Sequence, residues 1–205
     1  MRAPTPVPDP VPIVRRGRPR SDSTSRRILD AARELLTEGS YADFRMEHVA
    51  ARAGVGKAAI YRRWSSKQAL AQEVLVELAA PHIAVEDSGD TRAELRLCVM
   101  HALHAVRDTP FGQVIRTLLS QIAVNPAIGD PFRATVVEAR RGEITKVVER
   151  GVARGDLRPD SDATIATELL VGPVYFRLMF GGDLSDVFAD RVAEAVYDAF
   201  AVQRA

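Results

Sequence analysis

The chain has 205 residues, 46% of them hydrophobic and 27% charged, with 28 Lys and Arg against 27 Asp and Glu. Such a composition can bury a full core, which excludes global disorder, and the single cysteine, Cys98, excludes a disulfide scaffold. No continuous apolar run reaches the ~18–20 residues that span a bilayer, and the N-terminus MRAPTPVPDPVPIV lacks a signal peptide's apolar stretch, so a cytoplasmic protein without a membrane partner is expected.

The net charge of +1 hides a dipole: residues 1–80 carry +5 and residues 81–205 carry −4. The basic excess peaks at Arg15, Arg16, Arg18, Arg20, Arg26 and Arg27, with only Asp22 among them. One half is thus suited to a polyanion and the other is not.

Residues 1–14 place prolines at 4, 6, 8, 10 and 12, which fixes an extended, disordered tail. The basic arm RRGRPR follows, also without helix signals. Ser21, Ser23 and Thr24 then offer N-cap hydroxyls for a helix whose apolar face is Ile28, Ala31, Ala32, Leu35 and Leu36, with Gly39 at its end.

The next segment, RMEHVAARAGVGKAAIYRRW, spans residues 45–64. A short helix carrying Val49, Ala50 and Ala53 meets Gly54, where a sharp turn needs positive φ. A second short helix from Lys57 turns Ile60 and Trp64 inward and shows Lys57, Ala58, Ala59, Tyr61, Arg62 and Arg63 outward. Small residues at the helix contact, glycine at the turn and cations around a small-residue face make a helix-turn-helix. Lys and Arg neutralise phosphates, Arg also binds guanine edges, and an alanine methyl can touch that of thymine. Ser65 or Ser66 caps a further helix through Leu70, Val74, Leu75 and Leu78, ended by Pro81.

Five more helices are expected: 91–107, 111–124, one from Pro131 to Arg154, 162–180 and 185–203. Leu169 to Phe180 is apolar nearly all round, so it is buried on all sides; Gly172 permits close approach and Pro173 should kink the helix.

The run VAARAGVGKAAIYRRWSSKQAL, residues 49–70, after RRILDAARELLTEGSY, residues 26–41, resembles the DNA-binding domain of the TetR/AcrR family of bacterial transcriptional regulators. The resemblance implies an all-α chain of about nine helices. A Pro-rich tail and basic arm (1–20) would precede a three-helix DNA-binding domain (21–67) and a helical-bundle domain for effector binding and dimerisation (68–205). It implies that Tyr61, Lys67 and Arg45 contact phosphates, that Arg62 and Arg63 contact bases or phosphates, and that Arg16, Arg18 and Arg20 resemble arms that enter the minor groove. This chain departs from many members by having Gly56 and Arg45 where Ser or Thr would cap a helix.

By the same resemblance the last two helices pair with their copies in a homodimer, which reads a near-palindromic operator in double-stranded DNA. An effector cavity would be lined by Met100, His104, Leu118, Gln121, Phe132, Tyr175 and Met179, with Asp108 to Phe111 as a lever against the fourth helix. Binding would release the operator, and the protein would be nucleoid-associated when bound.

Cys98, His101 and His104 share a helix at spacings of three, but no fourth ligand clearly completes a metal set, so no metal is expected. No P-loop, GxSxG, HExxH or GxGxxG motif is present, and neither an enzyme nor a cofactor is expected. The competing readings are an architectural DNA binder without an effector and a ligand-transforming enzyme.

Overall fold

The computed structural model describes residues 20–79 and 84–203, and among them the regular elements are helical apart from one isolated bridge between Leu157 and Ala201. Ten α-helices follow in order: α1 (Arg20–Glu38), α2 (Met46–Ala53), α3 (Lys57–Tyr61), α4 (Lys67–Ala79) and α5 (Thr91–Asp108), then α6 (Phe111–Val124), α7 (Pro126–Phe132), α8 (Glu138–Arg154), α9 (Ala163–Phe180) and α10 (Asp186–Phe200). The Pro-rich tail and most of the basic arm lie outside the described residues, as does Pro81.

Three boundaries differ from expectation. Helix α1 starts at Arg20, ahead of the serines expected to cap it. Helix α10 stops at Phe200 rather than 203, because Ala201 turns away to bridge Leu157. The helix expected from Pro131 starts at Pro126 and is divided. Asn125 accepts a hydrogen bond from the Ala127 N–H and Pro126 occupies the first turn, where a missing N–H costs nothing. Pro131 then lacks an N–H inside the helix, and a π-helical stretch, Arg133–Val137, follows before α8.

Glycines set how closely helices approach. A Cβ on Gly112 would stand 1.8 Å from the Val106 carbonyl oxygen, and one on Gly129 would stand 2.3 Å from that of Ile122. These contacts fold α5 onto α6 and α6 onto α7. The segment before α5 is fixed by a buried charge cluster. Glu94, fully buried, accepts hydrogen bonds from Arg150 (2.7 Å), Arg154 (3.1 Å) and the Ser88 N–H (3.0 Å). Burial pushes its carboxyl up, but Arg150 and the Ser88 N–H outweigh that and hold it below the usual carboxylate range. Arg150 also donates to the Val85 carbonyl and Arg154 to Asp87.

Helix α4 ties the two ends of the chain together. Leu70, Ala71, Val74, Leu75 and Ala79 are buried where α4 meets α1 on one side and α6 and α7 on the other. Thr117 on α6 donates to the Gly39 carbonyl at the end of α1.

Helix α9 runs as one helix through Pro173. It is long and apolar enough to cross a membrane by length and composition alone, although Glu168 and Arg177 break the continuous apolar run. Yet only 28% of it is buried within one chain, against the expectation of burial on all sides.

Gly112→Ala is expected to destabilise the protein by about 1–3 kcal/mol, since backbone must move. Gly142→Ala, on the exposed face of α8 with no atom near a new Cβ, is expected to stabilise it by about 0.5–1 kcal/mol. Urea unfolding of both variants checks the pair.

Candidate functional site

The turn between α2 and α3 is built by Gly54, which adopts φ 61° and ψ 44°, the left-handed conformation that the turn demands. The Val55 N–H returns to the Ala50 carbonyl (3.0 Å), closing α2. Arg27 reaches across from α1 and donates to the carbonyls of Ala53 and Gly54, so a cation counted in the basic excess serves to hold the turn. Behind α3, Ile60 is fully buried and Trp64 nearly so, its indole N–H donating to Glu73 on α4 at 2.6 Å. The apolar anchors therefore fix which face of α3 looks outward.

That outward face carries Ala58, Tyr61 and Arg62, all exposed, with Ala59 half-buried beside them. Lys57 is exposed but pairs with Glu47 on α2 at 2.7 Å, and the Lys57 hydrogen bond holds the Glu47 carboxyl below its usual range. Arg45 is exposed at the N-terminus of α2 and Gly56 stands before α3. Neither position supplies a side-chain cap, as the missing hydroxyls predict. Lys67, at the start of α4, lies 4.2 Å above the Tyr41 ring and donates to the Tyr41 carbonyl.

Two expectations on this face change. Arg63 does not point freely outward: its Nε donates to Ser25 on α1 (2.8 Å) and its Nη1 to the Ala59 carbonyl (2.8 Å), so it staples α3 to α1. Arg20 belongs to α1 rather than to an extended arm, with Arg16 and Arg18 outside the described residues.

The seven side chains expected around an effector differ in burial. Met100, Leu118 and Phe132 are buried in the core, and Gln121 and Tyr175 are half-buried. His104 sits near the surface with Nε2 3.9 Å from Asp186, and Met179 is exposed on α9. Cys98, His101, Arg140, Glu143 and Ile144 line a narrow gap between α5 and α8 with room for about one water molecule. Burial pushes the Cys98 thiol up to about 12, so it is neutral at physiological pH and a poor metal ligand. Among the described residues no three His, Cys, Asp or Glu side chains group as metal ligands.

Comparison with known proteins agrees with both halves of this arrangement. Residues 28–74 match the family model for bacterial regulatory proteins of the tetR family, and residues 85–196 match that for the tetracyclin repressor-like C-terminal domain. The chain is 31% identical over 188 residues to the HTH-type transcriptional regulator YdeS of Bacillus subtilis, covering 91% of this chain and 92% of that one. It is 27% identical over 178 residues to the DNA-binding transcriptional repressor TetR of Mycobacteroides abscessus, covering 86% and 93%. The crystal structure of the transcriptional regulator FadR from Bacillus subtilis, in complex with stearoyl-CoA, superposes with a TM-score of 0.72 at 16% identity, covering 85% and 98%.

The two neighbouring arginines are expected to separate in experiment. Arg63→Ala should lower unfolding stability by about 1 kcal/mol through loss of its hydrogen bonds. Arg62→Ala should leave stability within about 0.5 kcal/mol of the parent. Equal losses in urea unfolding would contradict this geometry.

Proposed function

The chain belongs to the TetR family of bacterial transcriptional regulators, and on that premise we propose that it is a repressor which binds an inverted-repeat operator as a homodimer and leaves it when a small-molecule effector enters its body. The carrying observation is the outward face of α3, where Ala58, Tyr61 and Arg62 stand exposed on a turn held rigid by Gly54 and Arg27. In this reading Ala58 and Ala59 let the backbone approach the groove floor and Arg62 reaches a base edge or phosphate. Tyr61, Lys57, Lys67 and Arg45 hold the phosphates on either side. Arg63 supports the face from behind. Arg16 and Arg18, ahead of α1, serve as an arm toward the minor groove.

The reader spans residues 21–67, and residues 68–205 bind the effector and the partner copy. Dimerisation through the last two helices is supported by what α9 leaves uncovered. Ile165, Leu169, Phe176, Met179 and Phe180 are exposed, Val187 on α10 extends the patch, and Gly172 in its middle has no atom near it within one chain. An apolar patch of this extent is a partner's surface. A two-fold dimer presents two copies of α3, hence the inverted repeat. The acidic body is repelled by DNA, which leaves contact to the reader; the protein acts in the cytoplasm, at the nucleoid when bound. An effector inside the body would act through α6 and α7, which pack on α4, by favouring a dimer whose α3 helices no longer match the groove spacing. No catalytic role is assigned to any residue.

Selection of bound sequences from a random DNA pool should enrich one inverted repeat; enrichment of no sequence would favour an architectural binder. Phe176→Glu should convert the dimer to a folded monomer by sedimentation and weaken operator binding by about 10²-fold or more. A dimer that survives both Phe176→Glu and Leu169→Glu would contradict this interface.

A further inference from the structure

We propose that Glu47 reads a base: its carboxylate accepts a hydrogen bond from the exocyclic amino group of one cytosine in each half-site, with Lys57 positioning it. The proposal rests on the operator reading of this face and adds a specificity determinant to it.

Glu47 lies in the first turn of α2, and its Oε1 accepts from the Lys57 Nζ at 2.7 Å. Lys57 is the first residue of α3, and the N-terminal residues of a recognition helix are the ones that meet base edges. The pair therefore stands where α2 and α3 converge on the outward face. Both side chains are open to a ligand, Glu47 at 52% exposure and Lys57 at 56%. The surface around them is low. Ala51, one turn along α2 on the side of Glu47, and Ala58, next to Lys57, are both exposed, and a Cβ on Gly56 would meet nothing within 4 Å. A duplex laid across this face can come close to the carboxylate.

The pair is not needed as a brace. Arg27 holds the carbonyls of Ala53 and Gly54, and the Val55 N–H closes α2, so the turn is already fixed. An exposed ion pair adds little to that. Against the DNA backbone Glu47 is worse than neutral, because phosphates repel it. Base edges offer what it can use. In the major groove the donors are the amino groups of cytosine and adenine, and adenine sets its N7 acceptor beside that amino group whereas cytosine does not. Guanine and thymine turn acceptors toward the same place, so a carboxylate rejects both. The Lys57 hydrogen bond holds Glu47 below the usual carboxylate range and so keeps it an acceptor. An ammonium has three donors, so Lys57 can orient Glu47 and still reach a phosphate beside that base. The carboxylate thus lowers affinity for DNA at large and recovers it at one matching base, which is selectivity by repulsion.

The test is selection of bound duplexes from a random pool by the full-length parent, Glu47→Gln and Glu47→Ala, followed by affinity measurements on the selected repeat. The parent should enrich cytosine at one position of each half-site and lose about tenfold or more in affinity when both are changed to thymine. In Glu47→Ala that loss should shrink to about twofold or less, with preferences at the other positions unchanged. Glu47→Gln should bind a random-sequence duplex about threefold or more tighter than the parent, because a charge that phosphates repel is gone. Both variants should keep the parent's Tm within about 2 °C. An unchanged base preference in Glu47→Ala would overturn the proposal. So would a uniform loss across all positions, the mark of a brace or of a phosphate contact made through Lys57. An inverted repeat enriched identically by all three proteins overturns the role of Glu47 and keeps the operator reading, whereas a parent that enriches no sequence overturns both.

Discussion

Helix α4 buries five side chains between two sets of neighbours, α1 of the DNA reader on one side and α6 and α7 of the body on the other. Only Glu73 and Glu77 of this helix are exposed, so it is packed into the fold rather than a free linker. Because close-packed interfaces shift between discrete arrangements instead of stretching, a change in how α7 sits on α4 must be answered by α1. From α1 the link runs on through Arg27 and Arg63, which hold the turn after α2 and the end of α3. The recognition face is thus coupled to the body through a chain of buried apolar contacts and a few directed hydrogen bonds. That constraint is what would let a cavity in the body govern contacts on DNA.

The same dependence explains where the charges sit. Arginines of the reader divide into those that face outward, such as Arg62 and Arg45, and those that serve the scaffold, such as Arg27 and Arg63. In the body, the Glu94 cluster anchors the segment that enters α5.

Much of this was legible in the sequence. The sequence located nine of the ten helices, all but α7, Gly54 marked the turn, and the run from Val49 to Leu70 carried the family resemblance. Less legible was anything that depends on which partner a side chain meets across the fold. Arg63 and Arg62 are adjacent and chemically identical, and only the position of Ser25 on α1 separates staple from contact. The division of the helix around Pro131 follows from local chemistry, Asn125 before Pro126 and a proline one turn on, and was readable in principle. Burial of α9 was overestimated because an all-round apolar helix looks the same whether its second neighbour is the same chain or another copy.

The central claim is that the body and α4 hold two readers at one fixed spacing. The direct measurement is operator affinity as base pairs are inserted between the two half-sites of the selected repeat. Each inserted pair rotates one half-site by about 34° relative to the other. A rigidly coupled dimer should show one optimal spacing and lose about tenfold or more in affinity on insertion of two base pairs. Affinity that stays flat across spacings would mean that the readers hang independently from the body, and would contradict the account.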